Sequence, residues 1–165
     1  MPHQRKTIIG VMGPGNQATT TDLDHAYQLG KQIAQHGWIL LTGGRNVGVM
    51  EAANQGAKAA DGLTIGILPG NDTHGVSTSV DIAIVTDMGN ARNNINVLSS
   101  DVVIACGMGA GTVSEIALAI KSNKPVILLN NEMNDLFEKI APENVYIVQD
   151  VNDAIACIQN IIFNK

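Results

Sequence analysis

Two side chains that could act on a phosphate-bearing ligand, Arg92 and Glu115, stand 23 residues apart. A guanidinium group can clamp a phosphate in a fixed fork, and a carboxylate can act as a general base or bind a sugar hydroxyl. We predict Arg92 near the start of one helix and Glu115 one turn inside the next. A salt bridge between neighbouring helices would use the same two residues, and the spacing alone leaves both interpretations open.

A glycine-rich turn lies between these two residues. The apolar run 102–106 ends at Gly107-Met108-Gly109-Ala110-Gly111-Thr112, and a helical pattern follows. Glycines allow positive φ and close approach of a ligand, while the first amides of a helix are unpaired at the positive end of its dipole. The turn therefore predicts a phosphate site, although a plain strand-to-helix turn would look similar.

Three other apolar runs also end in glycine. They are followed by Gly13-Pro14-Gly15, by Thr42-Gly43-Gly44-Arg45 and by Pro69-Gly70. In a parallel α/β sheet the carboxyl ends of the strands share one edge, where small anionic ligands bind. We therefore predict a single ligand crevice at that edge.

The elements that must position these turns follow from the alternation of short apolar runs with longer segments of helical period. We predict strands at 7–12, 38–42, 64–68, 82–86, 102–106, 126–129 and 145–148, the first six of them buried. Helices are predicted from residue 20 or 21 to 37 and at 48–60, 90–99, 112–121 and 152–163, the first capped by Thr20 or Thr21. The pattern indicates one three-layer α/β Rossmann-like domain over residues 1–165, with a mostly parallel sheet of six or seven strands.

Composition excludes several classes of function. Hydrophobic residues make up 45% of the 165 residues and the mean hydropathy is +0.11, which is typical of a globular chain. The net charge of −5 and the absence of a Lys/Arg run argue against nucleic-acid binding. No apolar segment reaches the roughly 18 residues of a membrane span.

The cysteines and histidines suggest no metal site. Cys106 and Cys157 are the two cysteines of the chain, and the four histidines are scattered. One cysteine lies in a predicted inner strand and the other in the last predicted helix, which favours a reducing compartment over a disulfide scaffold, and we predict a cytoplasmic protein. The polar loop 71–79 follows the third predicted strand and is a candidate lid over the crevice, or an ordinary surface loop.

A family resemblance joins these motifs. Gly43-Gly44 with Gly48-Val49-Met50, then Arg92, then 109–115 (Gly-Ala-Gly-Thr-Val-Ser-Glu) resemble the LOG and lysine decarboxylase-like Rossmann superfamily over nearly the whole chain. Within it, the compact and acidic chain most resembles the molybdenum cofactor carrier proteins. These are similar to LOG enzymes in fold and hold the cofactor without transforming it.

The resemblance implies two different activities. LOG enzymes hydrolyse cytokinin nucleoside monophosphates at the ribosyl bond, with an Arg and a Glu at the positions of Arg92 and Glu115. Their motif reads Pro-Gly-Gly-x-Gly-Thr-x-x-Glu, whereas this chain has Gly107 and Met108 in the first two places, and Asn93 where the enzymes carry a Lys. These departures favour a binding role, and a phosphoribohydrolase is the alternative; a nucleotide-sensing module is a third interpretation.

As a carrier, the chain is expected to bind a pterin with a terminal phosphate and a molybdenum dithiolene, without a protein ligand to the metal. The resemblance implies contacts from glycines, small residues and one arginine along the crevice: Gly13, Gly15, Gly43, Gly44, Arg45, Gly70, Gly107, Met108, Gly109, Ala110, Gly111 and Thr112. Molybdenum enzymes are the expected recipients. A homodimer or homotetramer is also expected, with the segments 95–98 and 116–120 as candidate interfaces.

Overall fold

Residues 5–129 and 134–164 are described by the computed structural model, and within them seven strands form one parallel β-sheet. The strands are β1 (Ile8–Met12), β2 (Ile39–Thr42), β3 (Thr64–Leu68), β4 (Ile82–Val85), β5 (Val102–Cys106), β6 (Val126–Leu129) and β7 (Val145–Val148). Their order across the sheet is β4-β3-β2-β1-β5-β6-β7. The predicted three-layer Rossmann-like fold is therefore confirmed, and every strand pair is parallel.

Helices cover both faces of this sheet. Those in the described ranges are α1 (Thr20–Gln35), α2 (Gly48–Lys58), α3 (Arg92–Ser99), α4 (Ala110–Lys121), α5 (Asn134–Ile140) and α6 (Val151–Phe163). A short 3-10 turn, Gly89–Ala91, leads into α3. Helices α1, α2 and α6 share one apolar core with the sheet, and α3, α4 and α5 share the other, so each sheet face is buried under three helices.

Helices α1 and α2 cross at unusually short range because glycine occupies the contact on each of them. A Cβ on Gly30 would lie 2.0 Å from the carbonyl oxygen of Ala53, and one on Gly56 would lie 1.9 Å from that of Tyr27. Backbone atoms cannot move aside as a flexible side chain can. The crossing therefore fixes α2, and with it the loop that joins β2 to α2.

The structure corrects four details of the prediction. Strand β4 was expected to be buried, but all four of its residues are exposed, and it is one of the two edge strands of the sheet. The cap of α1 is Thr19, whose hydroxyl accepts from Asp22 N while the Asp22 carboxylate accepts from Thr19 N. Helix α4 begins two residues earlier than expected, and α5 was not predicted.

Among residues 5–129 and 134–164, none of the helices combines the length and the apolar character that crossing a bilayer requires.

Candidate functional site

The candidate site lies where the sheet order changes direction. From β1 the chain proceeds outward through β2, β3 and β4, and it then returns to place β5 on the other side of β1. Loops leaving β1 and β5 therefore diverge, and such a point is where open α/β sheets bind ligands. A cavity of about 360 Å³ opens there, called the switch-point cavity below. Its lining residues are Val11, Met12, Gly13, Pro14, Gly15, Asn16, Gln17, Gly43, Arg45, Met50, Asn90, Arg92, Asn93, Gly109, Ala110, Gly111, Thr112 and Glu115.

One wall of the cavity depends on close contact between the loops after β1 and β2. Gly48 has φ +57°, and a Cβ there would lie 2.2 Å from the carbonyl oxygen of Gly15. The amide of Val49 donates to the carbonyl of Pro14 at 3.0 Å. Since only glycine tolerates both this conformation and this contact, Gly48 holds the two loops together.

The opposite wall is the amino terminus of α4. Its N-cap residue is Gly109, which provides no side-chain hydrogen bond to the helix. The first amides of a helix have no partner within the helix and carry its partial positive charge. A Cβ on Gly111 would meet nothing nearer than Asn93 Nδ2 at 4.0 Å, so this glycine leaves open space. The wall thus offers amide donors to an anion that can approach the backbone.

Arg92 lies at the first residue of α3 and is buried, with 9% of its surface exposed. Its Nε has no hydrogen-bond partner, and its Nη1 would lie 2.5 Å from a Cβ on Gly43. Burial lowers the pKa of the guanidinium, the Glu115 carboxyl opposes that shift, and Arg45 adds to it. Two arginines therefore face one cavity, and a buried N–H of one of them is unused.

Glu115 is the acidic group of the cavity, and 6% of it is exposed. Asn96 Nδ2 donates to its Oε1 at 2.9 Å. Burial raises the pKa of this carboxyl to about 7, against the opposing effects of the Asn96 hydrogen bond and the Arg92 charge. Both residues are among those described, and no ion pair within 4.0 Å joins Glu115 to Arg92. The structure therefore contradicts the simple salt-bridge interpretation.

Thr112, in the first turn of α4, contributes a further unused polar group. Its hydroxyl Oγ1 is buried without a hydrogen-bond partner, and the residue is 1% exposed. Buried polar atoms of this kind are rare in proteins and call for an explanation. Thr112 Oγ1 and Arg92 Nε both belong to residues that line the cavity, so two unused hydrogen-bonding groups lie beside it.

The structure gathers eight of the twelve predicted binding residues around this cavity. They are Gly13, Gly15, Gly43, Arg45, Gly109, Ala110, Gly111 and Thr112. Arg92 and Glu115, predicted for the hydrolase alternative, line it as well. Their binding of a ligand stays a prediction.

Four predicted binding residues, Gly44, Gly70, Gly107 and Met108, are not among the residues that line the cavity. Gly44, with φ +77°, lies against Gly66, and Gly107, with φ +76°, lies against the Asp22 carboxylate, so both glycines serve the turns themselves. Gly70 is exposed after β3, two strands away from the switch point. Met108 packs against the core shared by α3, α4 and α5.

Four Asn and Gln residues that line the cavity were not among the predicted binding residues. Asn16, Gln17, Asn90 and Asn93 place four carboxamide side chains around the cavity. Asn93 Nδ2 donates to Ser114 Oγ at 2.9 Å, which links α3 to the first turns of α4. Asn96 was detectable, because it follows Arg92 by four residues and therefore shares its helix face.

The loop 71–79 braces the loop that carries Arg45. Ser77 N donates to the carbonyl of Gly44 at 2.9 Å, and Asn46 N donates to that of Gly75 at 2.9 Å. Arg45 and Val76 form an isolated antiparallel bridge. None of the nine loop residues lines the cavity in this conformation, and its action as a lid stays a prediction.

Within residues 5–129 and 134–164, no group of three or more His, Cys, Asp or Glu side chains is arranged to hold a metal ion. Cys106 and Cys157 are both free thiols, and burial, followed by the Asp22 charge, raises the pKa of Cys106 to about 12.

The fold and the cavity define the class: a Rossmann-like protein with a switch-point site suited to a small anionic ligand. Residues 6–155 match the model of the SLOG cluster4 family. This chain belongs to that family.

Solved structures resemble the chain over nearly its whole length. The molybdenum cofactor binding protein of Rippkaea orientalis is 64% identical, with a TM-score of 0.94 over 97% of this chain and 99% of that one. The molybdenum cofactor carrier protein of Chlamydomonas reinhardtii is 53% identical, with a TM-score of 0.92 over 96% and 99% of the two chains. The resemblance to carrier proteins predicted from the sequence is thereby confirmed.

An enzyme is also among the relatives. The cytokinin riboside 5'-monophosphate phosphoribohydrolase of Mycobacterium tuberculosis is 30% identical to this chain, in an alignment that covers 82% of this chain and 84% of the enzyme. This match confirms the LOG-like relationship, at lower identity than the cofactor-binding proteins.

Proposed function

We propose that this protein binds the molybdenum cofactor in the switch-point cavity, retains it and delivers it without converting it chemically. The observation that carries the proposal is the 64% and 53% identity to two molybdenum cofactor proteins, over almost the full length of each chain. The cavity supports it with free helix amides and with Arg45 and Arg92, which suit a ligand that ends in a phosphate.

Within this proposal the amides of 110–112 and the Thr112 hydroxyl receive the phosphate, because they lie at the positive end of α4. Arg92 contributes its unused N–H and Arg45 contributes a second positive charge. The carboxamides of Asn16, Gln17 and Asn90 are available to the polar edge of a pterin, since an amide both donates and accepts hydrogen bonds.

Retention without conversion is tested by transfer. The protein is loaded with the cofactor under exclusion of oxygen, separated from excess ligand and mixed with a molybdenum enzyme that lacks its cofactor. We expect the enzyme to gain activity and the released cofactor to have an unchanged mass. Loss of cofactor before transfer, or a change in its mass, would contradict the carrier function.

A phosphoribohydrolase is the second candidate, because the chain retains Arg92 and Glu115 in one cavity and is 30% identical to such an enzyme. A carboxyl with a pKa of about 7 is also suited to general acid–base work. Release of adenine from its nucleoside monophosphate, abolished by Glu115→Gln, would favour the enzyme. No release by the wild-type protein would favour the carrier.

Molybdenum enzymes are the proposed recipients, and a homodimer or homotetramer is the proposed assembly. The edge strand β4 exposes apolar side chains, since Ile82, Ile84 and Val85 are each more than 40% exposed. A second copy of the chain could cover this apolar strand edge. Sedimentation of the purified protein gives the number of copies, and a monomeric mass would contradict the assembly.

We place the protein in the cytoplasm, whose reducing conditions keep thiols such as Cys106 and Cys157 free.

A further inference from the structure

Few groups stabilise a negative charge on the buried carboxyl of Glu115. It is 6% exposed, and the hydrogen bond from Asn96 Nδ2 is the one that its carboxyl receives among the described residues. A buried carboxyl is kept ionised by hydrogen bonds donated to its oxygens and by a cation close beside it. Here neither arginine of the cavity approaches within ion-pair distance of 4.0 Å.

The charges around Glu115 come from two elements besides its own helix. Arg92 faces it from the start of α3, and Arg45 faces the cavity from the loop after β2. The strands packed against α4, β5 and β6, are apolar apart from Cys106. Among the residues that line the cavity, Arg45, Arg92 and Glu115 are the titratable ones. The cavity therefore carries one more unit of positive charge when Glu115 is neutral.

An anionic ligand discriminates between these two states. Its charge is repelled by an ionised Glu115 in a buried, weakly screened site, whereas the neutral carboxyl can donate a hydrogen bond to it. We propose that the protonated form of Glu115 is a binding group of this cavity and that a dianionic ligand binds together with one proton. This inference rests on the proposed function only in requiring that the cavity receives an anion.

Proton linkage has a measurable consequence. Since burial raises the pKa of Glu115 to about 7, its protonated fraction falls about tenfold between pH 6 and pH 8. The affinity for a dianion should fall by up to the same factor. Release would then be favoured as the pH rises, and binding would be favoured as it falls.

Sulfate is the probe of choice because its own charge does not change in this pH range, unlike that of phosphate. Its dissociation constant is measured at pH 6, 7 and 8 at constant ionic strength, from the NMR shifts of the amides of Gly109, Ala110 and Gly111. We expect the wild-type affinity to fall about tenfold from pH 6 to pH 8. The Glu115→Gln variant should show a flat profile and should bind about ten times more tightly than the wild type at pH 8.

Two controls keep the test decisive. Glu138→Gln removes the same charge at an exposed position of α5 and should retain the wild-type pH dependence. If Glu115→Gln does not fold, carbon NMR of the wild-type carboxyl groups replaces it: a buried glutamate should titrate near pH 7, and sulfate should raise that midpoint.

A pH-independent wild-type affinity, a Glu115→Gln variant that retains the fall, or no sulfate binding at pH 6 would overturn the inference. These results are separable from a failure of the carrier function. Proton-linked sulfate binding by a protein that never retains molybdenum would remove the function and leave the inference intact. Retention of molybdenum together with a sulfate affinity that does not change with pH would support the function and remove the inference.

Discussion

Two concave regions, one at the carboxyl ends of the strands and one at their amino ends, differ in whether their polar side chains have hydrogen-bond partners within the protein. The switch-point cavity lies at the carboxyl ends of β1, β2 and β5. The second region, called the amino-end cleft, lies where β6 and β7 begin and has a volume of about 660 Å³. It is lined by Asn123, Lys124, Pro125, Asn144, Tyr146, Asp153, Ala156, Cys157, Asn160, Ile161 and Asn164.

In the amino-end cleft, which is the larger of the two regions, polar side chains already have hydrogen-bond partners within the protein. Lys124 Nζ donates to the carbonyls of Leu98 and Ser100 at 3.1 and 2.7 Å, and Asn164 Nδ2 donates to that of Asn160 at 2.9 Å. In the described part of the chain, none of the buried unpartnered side-chain atoms belongs to a residue of this cleft, whereas Arg92 Nε and Thr112 Oγ1 belong to residues that line the switch-point cavity. Unused hydrogen-bonding capacity, rather than volume, therefore distinguishes the candidate site.

The largest expected effect of this difference is on the free energy of unfolding, through the buried carboxyl of Glu115 in the switch-point cavity. The pKa of Glu115 is raised from 4.5 to about 7, so the folded protein holds a proton that the unfolded chain releases between these values. Stability from this group is therefore present below pH 4.5 and is lost as the pH rises to about 7, by roughly 3 kcal/mol. Glu115→Gln should lack this loss in denaturant unfolding measured from pH 4.5 to 8, and parallel curves for the two proteins would contradict the account.

The next largest effect concerns the arginine of the cavity. Arg92→Gln should weaken ligand binding by about 10- to 100-fold, since hydrogen bonds to a charged group contribute about 1.5–3 kcal/mol. The matched change in the amino-end cleft, Lys124→Gln, should lower the melting temperature because two backbone carbonyls lose their donor, and it should leave binding unchanged. Equal losses of affinity in the two variants would remove the distinction between the two regions.

A methyl group in the open space of the cavity should have a smaller effect. Gly111→Ala meets no atom nearer than 4.0 Å and suits a helix, so stability should be unchanged or higher by up to about 1 kcal/mol. Ligand affinity should fall about tenfold, because the methyl group occupies space that the ligand needs. Gly70→Ala, which also has open space but lies outside the cavity, is the control and should bind normally. Unimpaired binding by Gly111→Ala would place the ligand elsewhere.

The smallest effect is expected from the unpartnered hydroxyl. Thr112→Val removes Oγ1 with little change of shape, and a buried hydroxyl without a partner destabilises the empty protein. Unfolding should therefore show a gain of up to about 1 kcal/mol, while ligand affinity falls by about 2- to 10-fold. A variant that loses stability would show that the hydroxyl is satisfied within the fold.

Local sequence predicted the elements better than their arrangement. The bounds of β3, β5, β6 and β7 were predicted without error, since each is a short apolar run flanked by turn residues. The exposure of β4 was missed because its apolar residues resemble those of an inner strand. Its place at the edge follows from the order of the strands, which no local pattern carries.

The same limit applies to the candidate site. Gly70 and Gly111 are both glycines after a strand, but only the latter strand borders the switch point. Gly107 and Gly109 are two residues apart in one motif, and the first serves the turn while the second faces the cavity. The sequence predicted that Arg92 and Glu115 would come to one place. It could not show that they form no ion pair or that Asn96 donates a hydrogen bond to Glu115, because both depend on how α3 packs against α4.

Whether the switch-point cavity holds the molybdenum cofactor is tested most directly by what the protein itself carries after purification. Wild-type protein and the Arg92→Gln variant are purified natively without oxygen and analysed for molybdenum and for the mass of any bound pterin. We expect molybdenum and a phosphate-bearing pterin in equal molar amounts in the wild type, and a large loss of both in the variant. A wild-type protein that carries neither, or a variant that retains both in full, would contradict the proposed function.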